Sequence, residues 1–246
     1  MPMLKKIAAA ALCAGMLFSQ ITCYPADIFV SAGYLRTDDA ECTGTLSDGV
    51  LTVTGSVVDA ASMKQFADET AQIILTDSVE TIGKAAFSNF KELRTVEMTE
   101  HVKRIETGAF QACTNLRKID LRNVETIGES AFAGCIRLFD VTLSDSLTEI
   151  GEAAFCGCEG ARILDIPSKI TKIQPDTFRH CVGLRDVYLP DSVKEIGDHA
   201  FDDCNAAERV FILNPECIIG EDAIPKNAVI YAPAKSKAHD YANANG

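Results

Sequence analysis

From residue 82 onward, apolar and polar positions follow a rule that restarts every 22 or 23 residues. The segment IGKAAFSNFKELRTVEM returns, with changes, as IETGAFQACTNLRKIDL, IGESAFAGCIRLFDVTL, IGEAAFCGCEGARILDI, IQPDTFRHCVGLRDVYL and IGDHAFDDCNAAERVFI. These copies begin at Ile82, Ile105, Ile127, Ile150, Ile173 and Ile196. A degenerate seventh copy starts at Ile219, with Ile224 in the phenylalanine position, and an incomplete strand at Ile73 and Leu75 precedes the first. The array therefore fills residues 73–224.

Each offset has a physical role. Phe87, Phe110, Phe132, Phe155, Phe178 and Phe201 stand three residues before Phe90, Cys113, Cys135, Cys158, Cys181 and Cys204. Three further on come Leu93, Leu116, Leu138, Ala161, Leu184 and Ala207, a spacing that predicts a short helical turn with one apolar face. The period then changes. Val96/Met98, Ile119/Leu121, Val141/Leu143, Leu164/Ile166, Val187/Leu189 and Val210/Ile212 alternate with variable residues, as a half-buried strand does. Pro190-Asp191-Ser192 and Ser144-Asp145-Ser146 read as the turns that follow. One copy cannot bury its own apolar face, whereas stacked copies bury Phe on Phe and Leu on Leu, and a period of this length is the mark of a leucine-rich solenoid.

The unit I-G-x-x-A-F-x-x-C-x-x-L-x-x-V-x-L-P-x-S-V resembles the BspA-like class of bacterial leucine-rich repeats. GTLSDGVLTVTGS, residues 44–56, is similar to the β-hairpin that caps such arrays, and VIYAPAKSKAHDYANANG, residues 229–246, to their closing strand and helix. The resemblance implies an α/β solenoid, a horseshoe of about six to seven coils with a parallel β-sheet on its concave face. It divides the chain into an N-terminal capping region (27–72), the array (73–224) and a C-terminal cap (225–246). Gln174-Pro175 in place of the glycine turn, and Ala161 and Ala207 in place of leucines, depart from the pattern and bear on local shape.

Ahead of the cap, Lys5-Lys6 followed by the apolar run from Ile7 to Phe18 reads as a secretory leader, taken as residues 1–26. The run is too short to span a bilayer, and Gln20-Ile21-Thr22 before Cys23 is a weak lipobox. The formal charge of the whole chain is −12. Losing Lys5 and Lys6 would make it −14, which argues against nucleic acid and anionic membranes as partners. With 47% hydrophobic and 24% charged residues the composition is globular.

The chain has 10 cysteines, and in an exported protein these would ordinarily suggest disulfides. Five of them follow the coil period instead of paired spacings such as C-x-x-C, which favours buried reduced thiols. Neighbouring coils would still bring such positions within bridging reach. Cys156 stands outside the ladder, and Cys42 and Cys217 are isolated.

Candidate chemistry is confined to the outward positions of the strands. The middle row of the concave face would carry Glu97, Asp120, Thr142, Asp165, Tyr188 and Phe211, flanked by Lys118, Asp186 and Arg209. Its first half is acidic and its last part aromatic, the composition of an interaction patch, unless the closing segment folds over Phe211 and Leu213. Glu97 and Asp120 in adjacent coils could invite calcium, but two carboxylates are a poor set and a solvated acidic surface is the simpler reading, so no metal or other cofactor is expected. No H-E-x-x-H, G-x-S-x-G, P-loop or G-x-G-x-x-G occurs. His180 beside Cys181 does not face it on a helical turn, and no enzyme activity is expected. The resemblance implies an exported, secreted or surface-displayed recognition module, adhesin-like, that binds a protein or glycan, some relatives taking host extracellular matrix proteins such as fibronectin and fibrinogen. The alternative is a structural or scaffold protein of the envelope without a foreign ligand.

Overall fold

The computed structural model describes residues 42–245. The expected leader (1–26) and the first part of the expected capping region (27–41) lie outside the described residues.

β1 (Thr43–Ser47) and β2 (Val50–Thr54) pair antiparallel, with Ser47 opposite Val50. Asp48 at φ 50° and Gly49 at φ 78° supply the left-handed pair that a two-residue hairpin needs, so the expected cap is present. Every later pairing is parallel. β2 continues into β3 (Gln72–Leu75), β4 (Thr95–Glu97), β5 (Lys118–Leu121) and β6 (Asp140–Leu143), one strand per winding. A second broad sheet holds β7 (Ile163–Asp165), β8 (Asp186–Leu189), β9 (Arg209–Ile212) and β10 (Val229–Tyr231). Two-residue strands, among them Thr81–Ile82, Arg104–Ile105 and Thr126–Ile127, form a narrower parallel ladder on another side of the coil. Among the described residues, α-helices occur at the ends: α1 (Ala60–Met63) under the first windings and α2 (Lys237–Asn245) over the last.

The segment carrying the phenylalanines and cysteines corrects the expected helical turn. Its N–H groups alternate between two jobs. Ala85, Phe87 and Asn89 donate to Thr107, Ala109 and Gln111 of the next winding at 2.8–2.9 Å, while Ala86 and Ser88 close local turns onto Gly83 and Ala85. The alternation requires left-handed residues, and Ala85 (φ 53°) and Asn89 (φ 63°) adopt that conformation. Each such non-glycine residue costs about 1–2 kcal/mol, offset by bonds between windings that a helix, which satisfies its own backbone, would not make. The α part of the expected α/β solenoid is thus confined to the caps, and the body is a three-sided β-solenoid.

Inside, the phenylalanines from Phe87 to Phe201 form one stack with ring centroids 5.2–5.5 Å apart, every ring at most 3% exposed. The cysteine ladder lies beside it. Cys113, Cys135, Cys158, Cys181 and Cys204 are buried and free, as expected. Each thiol donates to the carbonyl of a phenylalanine in the preceding winding, from Cys113 to Phe87 at 3.1 Å through Cys204 to Phe178 at 3.2 Å. That bond explains why cysteine occupies a site where alanine would also fit: the S–H is a small apolar group that still serves a buried carbonyl. The repeat's glycine has a steric origin, because a Cβ on Gly151 would sit 2.4 Å from the backbone nitrogen of Glu129.

The winding is not uniform. β6 and β7 do not pair, nor do Glu149–Ile150 and Lys172–Ile173, so both ladders split at the same level. Links such as Arg117 N–H to Arg94 O (3.0 Å) and Arg185 N–H to Arg162 O (2.7 Å) have no counterpart between Arg162 and Phe139 among the described residues. The phenylalanine side stays joined, with Phe132 N–H bonded to Ala154 O at 2.8 Å and Phe155 N–H to Thr177 O at 2.9 Å. The seam is therefore a wedge hinged on the aromatic stack. Glu106 replaces the repeat's glycine, and Ala207 its leucine, without opening the coil. At the seam, Ala161 precedes β7 and Gln174 follows it, 13 residues apart along the chain. Beside them Phe139, where other copies carry arginine or glutamate, is 55% exposed. Ala161→Leu, which restores the side chain missing from the leucine row, is expected to raise stability by about 1–2 kcal/mol. The check is the urea midpoint together with slower amide exchange in β6 and β7; a lower midpoint would mean the wedge has no space to fill.

Candidate functional site

Strand alternation decides which side chains reach the surface of the broad sheets. In β8, Val187 and Leu189 point inward and Tyr188 outward; in β9, Val210 and Ile212 are buried while Phe211 is half-buried. Parallel pairing then sets the rows. Asp165, Tyr188, Phe211 and Tyr231 stand in register across β7 to β10, and Asp186, Arg209 and Val229 form the row beside them.

The three rings stack face to face. Tyr188 and Phe211 centroids lie 4.7 Å apart at 3°, and Phe211 and Tyr231 4.7 Å apart at 18°. Tyr188 is 38% exposed and Tyr231 47%, and Leu213 and Val229 add exposed apolar surface next to them. The closing strand thus lengthens the aromatic row instead of covering it. Tyr231 was absent from the residues expected at this face, although the alternation in Val229-Ile230-Tyr231 continues that of Val187 to Leu189 and could have signalled it.

The charged candidates are already engaged with one another. Arg209 grips Asp186 through two bonds of 2.7 and 2.6 Å. These hydrogen bonds hold the Asp186 carboxyl below the usual range and push the Arg209 guanidinium up. Asp186 is buried, so the pair is a clasp between windings whose Arg209 end remains accessible. Arg122 binds Asp120 through its Nε at 2.9 and 3.1 Å and lowers that carboxyl as well. Gln72 donates to Glu97 at 2.6 Å. The Glu97 and Asp120 carboxylates are thus each engaged by a neighbouring side chain, Gln72 and Arg122. Among the described residues no group of three metal-type side chains converges.

The seam separates Thr142 from Asp165, two residues expected to be neighbours in the row. A cleft of about 580 Å³ opens between them, lined among others by Phe139, Thr142, Arg162, Asp165 and Pro167. The structure therefore divides the expected continuous face in two. Lys118, Asp120 and Thr142 belong to the N-terminal sheet, together with Glu97, while Asp165, Asp186, Tyr188, Arg209 and Phe211 belong to the C-terminal one. His180 lies away from both, with its Nδ1 3.2 Å from Asp203, while the neighbouring Cys181 thiol turns inward to Phe155.

A coil of parallel strands with a periodic thiol ladder and an open side-chain face defines a solenoid repeat protein. The family model for the BspA type leucine rich repeat region matches residues 62–158 and 121–228, in 6 copies. The chain belongs to this family. Among solved structures it is similar to a T. pallidum leucine rich repeat protein, at 22% identity over 68% of this chain and 87% of that one, with a TM-score of 0.56. It is also similar to a leucine-rich repeat protein from Bacteroides ovatus ATCC 8483, at 21% identity over 78% of this chain and 70% of that one, with a TM-score of 0.52. These likenesses speak to the fold. A comparison with curated proteins finds no match. No helix of the described residues is long and apolar enough to cross a membrane.

Proposed function

We propose that the chain is an exported, non-catalytic recognition module that binds a protein or glycan ligand through the outer face of its C-terminal sheet. The reading rests on the open stack of Tyr188, Phe211 and Tyr231, with Leu213 and Val229 beside it. The stacked rings steady neighbouring strands, but their exposure leaves flat apolar faces next to charged side chains, which is what ligand surfaces use. Asp165 and the accessible end of Arg209 flank the rings and give the patch a polar rim. Family membership is consistent with a surface repeat protein.

The test is capture of extracellular matrix proteins and mucin glycans by the immobilised chain, followed by titration of whatever binds. Tyr188→Ala is expected to weaken that binding about fivefold or more, and Asp165→Ala to weaken it less. Both changes lie on exposed positions, so thermal unfolding should stay near that of the wild type. Binding untouched by both variants would remove this face from consideration.

A further inference from the structure

The C-terminal end of the broad sheet carries three unfilled features at one place. β10 is an edge strand, paired with β9 and with no strand on its other side among the described residues. Val229 N–H donates to Glu208 O at 2.9 Å. In a parallel ladder this register commits the peptide groups of Val229 and Tyr231 to β9, leaving the N–H and C=O of Ile230 facing the open edge.

The second feature is a groove of about 320 Å³ between β10 and α2, lined by Ile224, Pro225, Ala228, Ile230, Tyr241 and Ala242 among others. It continues the inner row of Val187, Val210 and Ile230, so it lies where an inward side chain of one more strand would go. α2 is fixed beside it. Tyr241 is partly buried, which raises its phenol, and Lys237 N–H bonds to Pro215 O at 2.9 Å. The third feature is the free outer side of the Tyr231 ring, the last in its stack, with Val229 57% exposed next to it.

We propose that the β10 edge and this groove form a docking site for an extended segment of a partner protein, which adds as a further parallel or antiparallel strand. The segment would place an aliphatic side chain in the groove and a flat ring on Tyr231. A backbone edge that repeats its donors and acceptors at strand spacing is complementary to polypeptide and not to a sugar chain. The groove has room for one or two side chains, and a second copy would bring its own α2 to the same space. This site lies at the end of the coil and is separate from the sheet-face reading above, sharing Tyr231 and Val229 with it.

The probe is the fluorescent peptide acetyl-Lys-Thr-Tyr-Val-Tyr-Thr-Lys-amide, titrated onto the full chain by anisotropy. Two versions, N-methylated on one or the other alternate set of residues, separate the two edges of the added strand. One version should bind like the parent and the other should lose binding, because only one edge of an added strand faces β10. Tyr231→Ser is expected to weaken the parent peptide about three- to tenfold, the range of a lost ring pair. Ala242→Trp, which fills the groove from a helix surface, should weaken it by at least as much. Ile136→Ser, an exposed change outside both sites, should leave it unchanged. Equal affinity for a peptide of scrambled order would overturn the proposal, as would equal effects of the two N-methylated versions. A dimer of the chain that the peptide dissociates would assign the edge to a second copy and also overturn it.

Discussion

Phe132→Ala is expected to cost the solenoid about 3–5 kcal/mol, the range for removing a buried ring whose surroundings cannot close. Its ring has partners on both sides, Phe110 at 5.4 Å and Phe155 at 5.2 Å, and is fully buried. Three constraints stop the neighbours from collapsing into the hole. The backbone of this segment is bonded to the next winding at Ser130, Phe132 and Gly134, each at 2.7–2.8 Å. The Phe132 carbonyl also receives the Cys158 thiol. The glycine turn of the winding above, at Gly151, already touches the backbone below it. Chemical denaturation of the wild type and the variant measures the loss directly. A change under about 1 kcal/mol would mean that the windings adjust independently and that the aromatic stack is not what couples them.

The same ladder explains what could be read from the sequence. Phe, Cys and Leu recur at fixed offsets because each stacks on its own counterpart one winding away, so the packing direction is written into the repeat. The hairpin was legible for a local reason, since Asp48-Gly49 between alternating runs has one favoured geometry. The backbone of the phenylalanine side was not legible. Spacings of three residues suit a helix and a chain of tight turns equally, and the choice is made by bonds to the next winding, which no single copy displays. The seam was hidden for a related reason. Ala161 and Gln174 each occur in equivalent form elsewhere, at Ala207 and Glu106, without opening the sheet, so neither departure by itself marks the seam in the sequence.

The candidate face was legible as a set of outward positions and less so as a surface. Tyr188 and Phe211 stand together as expected, because register across parallel strands carries straight from the repeat. Asp186 and Arg209 were expected as separate contacts, but opposite charges in adjacent rows of a sheet find each other first. Tyr231 belongs to a strand outside the repeat consensus, so a reading based on copies passed over it. In each case the miss lies between windings and not within one.

Raising the pH above 9 under reducing conditions is expected to unfold the protein through its thiol ladder. Burial pushes Cys135 up to about 12 from an ordinary 9.0. Cys113 and Cys158 are raised well above that value mainly by burial, and Cys181 by its bond with Cys204 and by burial. A folded-state pKa above the unfolded one means the folded chain keeps its protons while the unfolded chain releases them. The resulting stability is fully present below pH 9 and is lost as the pH climbs from 9 toward 12. One unit above the unfolded pKa each such thiol withdraws on the order of 1 kcal/mol, so the four together withdraw several kcal/mol by pH 10, a large part of the stability of a modest domain. Urea midpoints at pH 7.5, 9 and 10 give the slope. The comparison is with a chain carrying serine at positions 113, 135, 158 and 181, which keeps a donor to each phenylalanine carbonyl but does not titrate in this range. If that variant does not fold, Cys135→Ser alone should flatten the alkaline loss by about 1 kcal/mol. Equal slopes for wild type and variant would show that other groups drive the alkaline transition, and that the buried thiols are reached by hydroxide without unfolding.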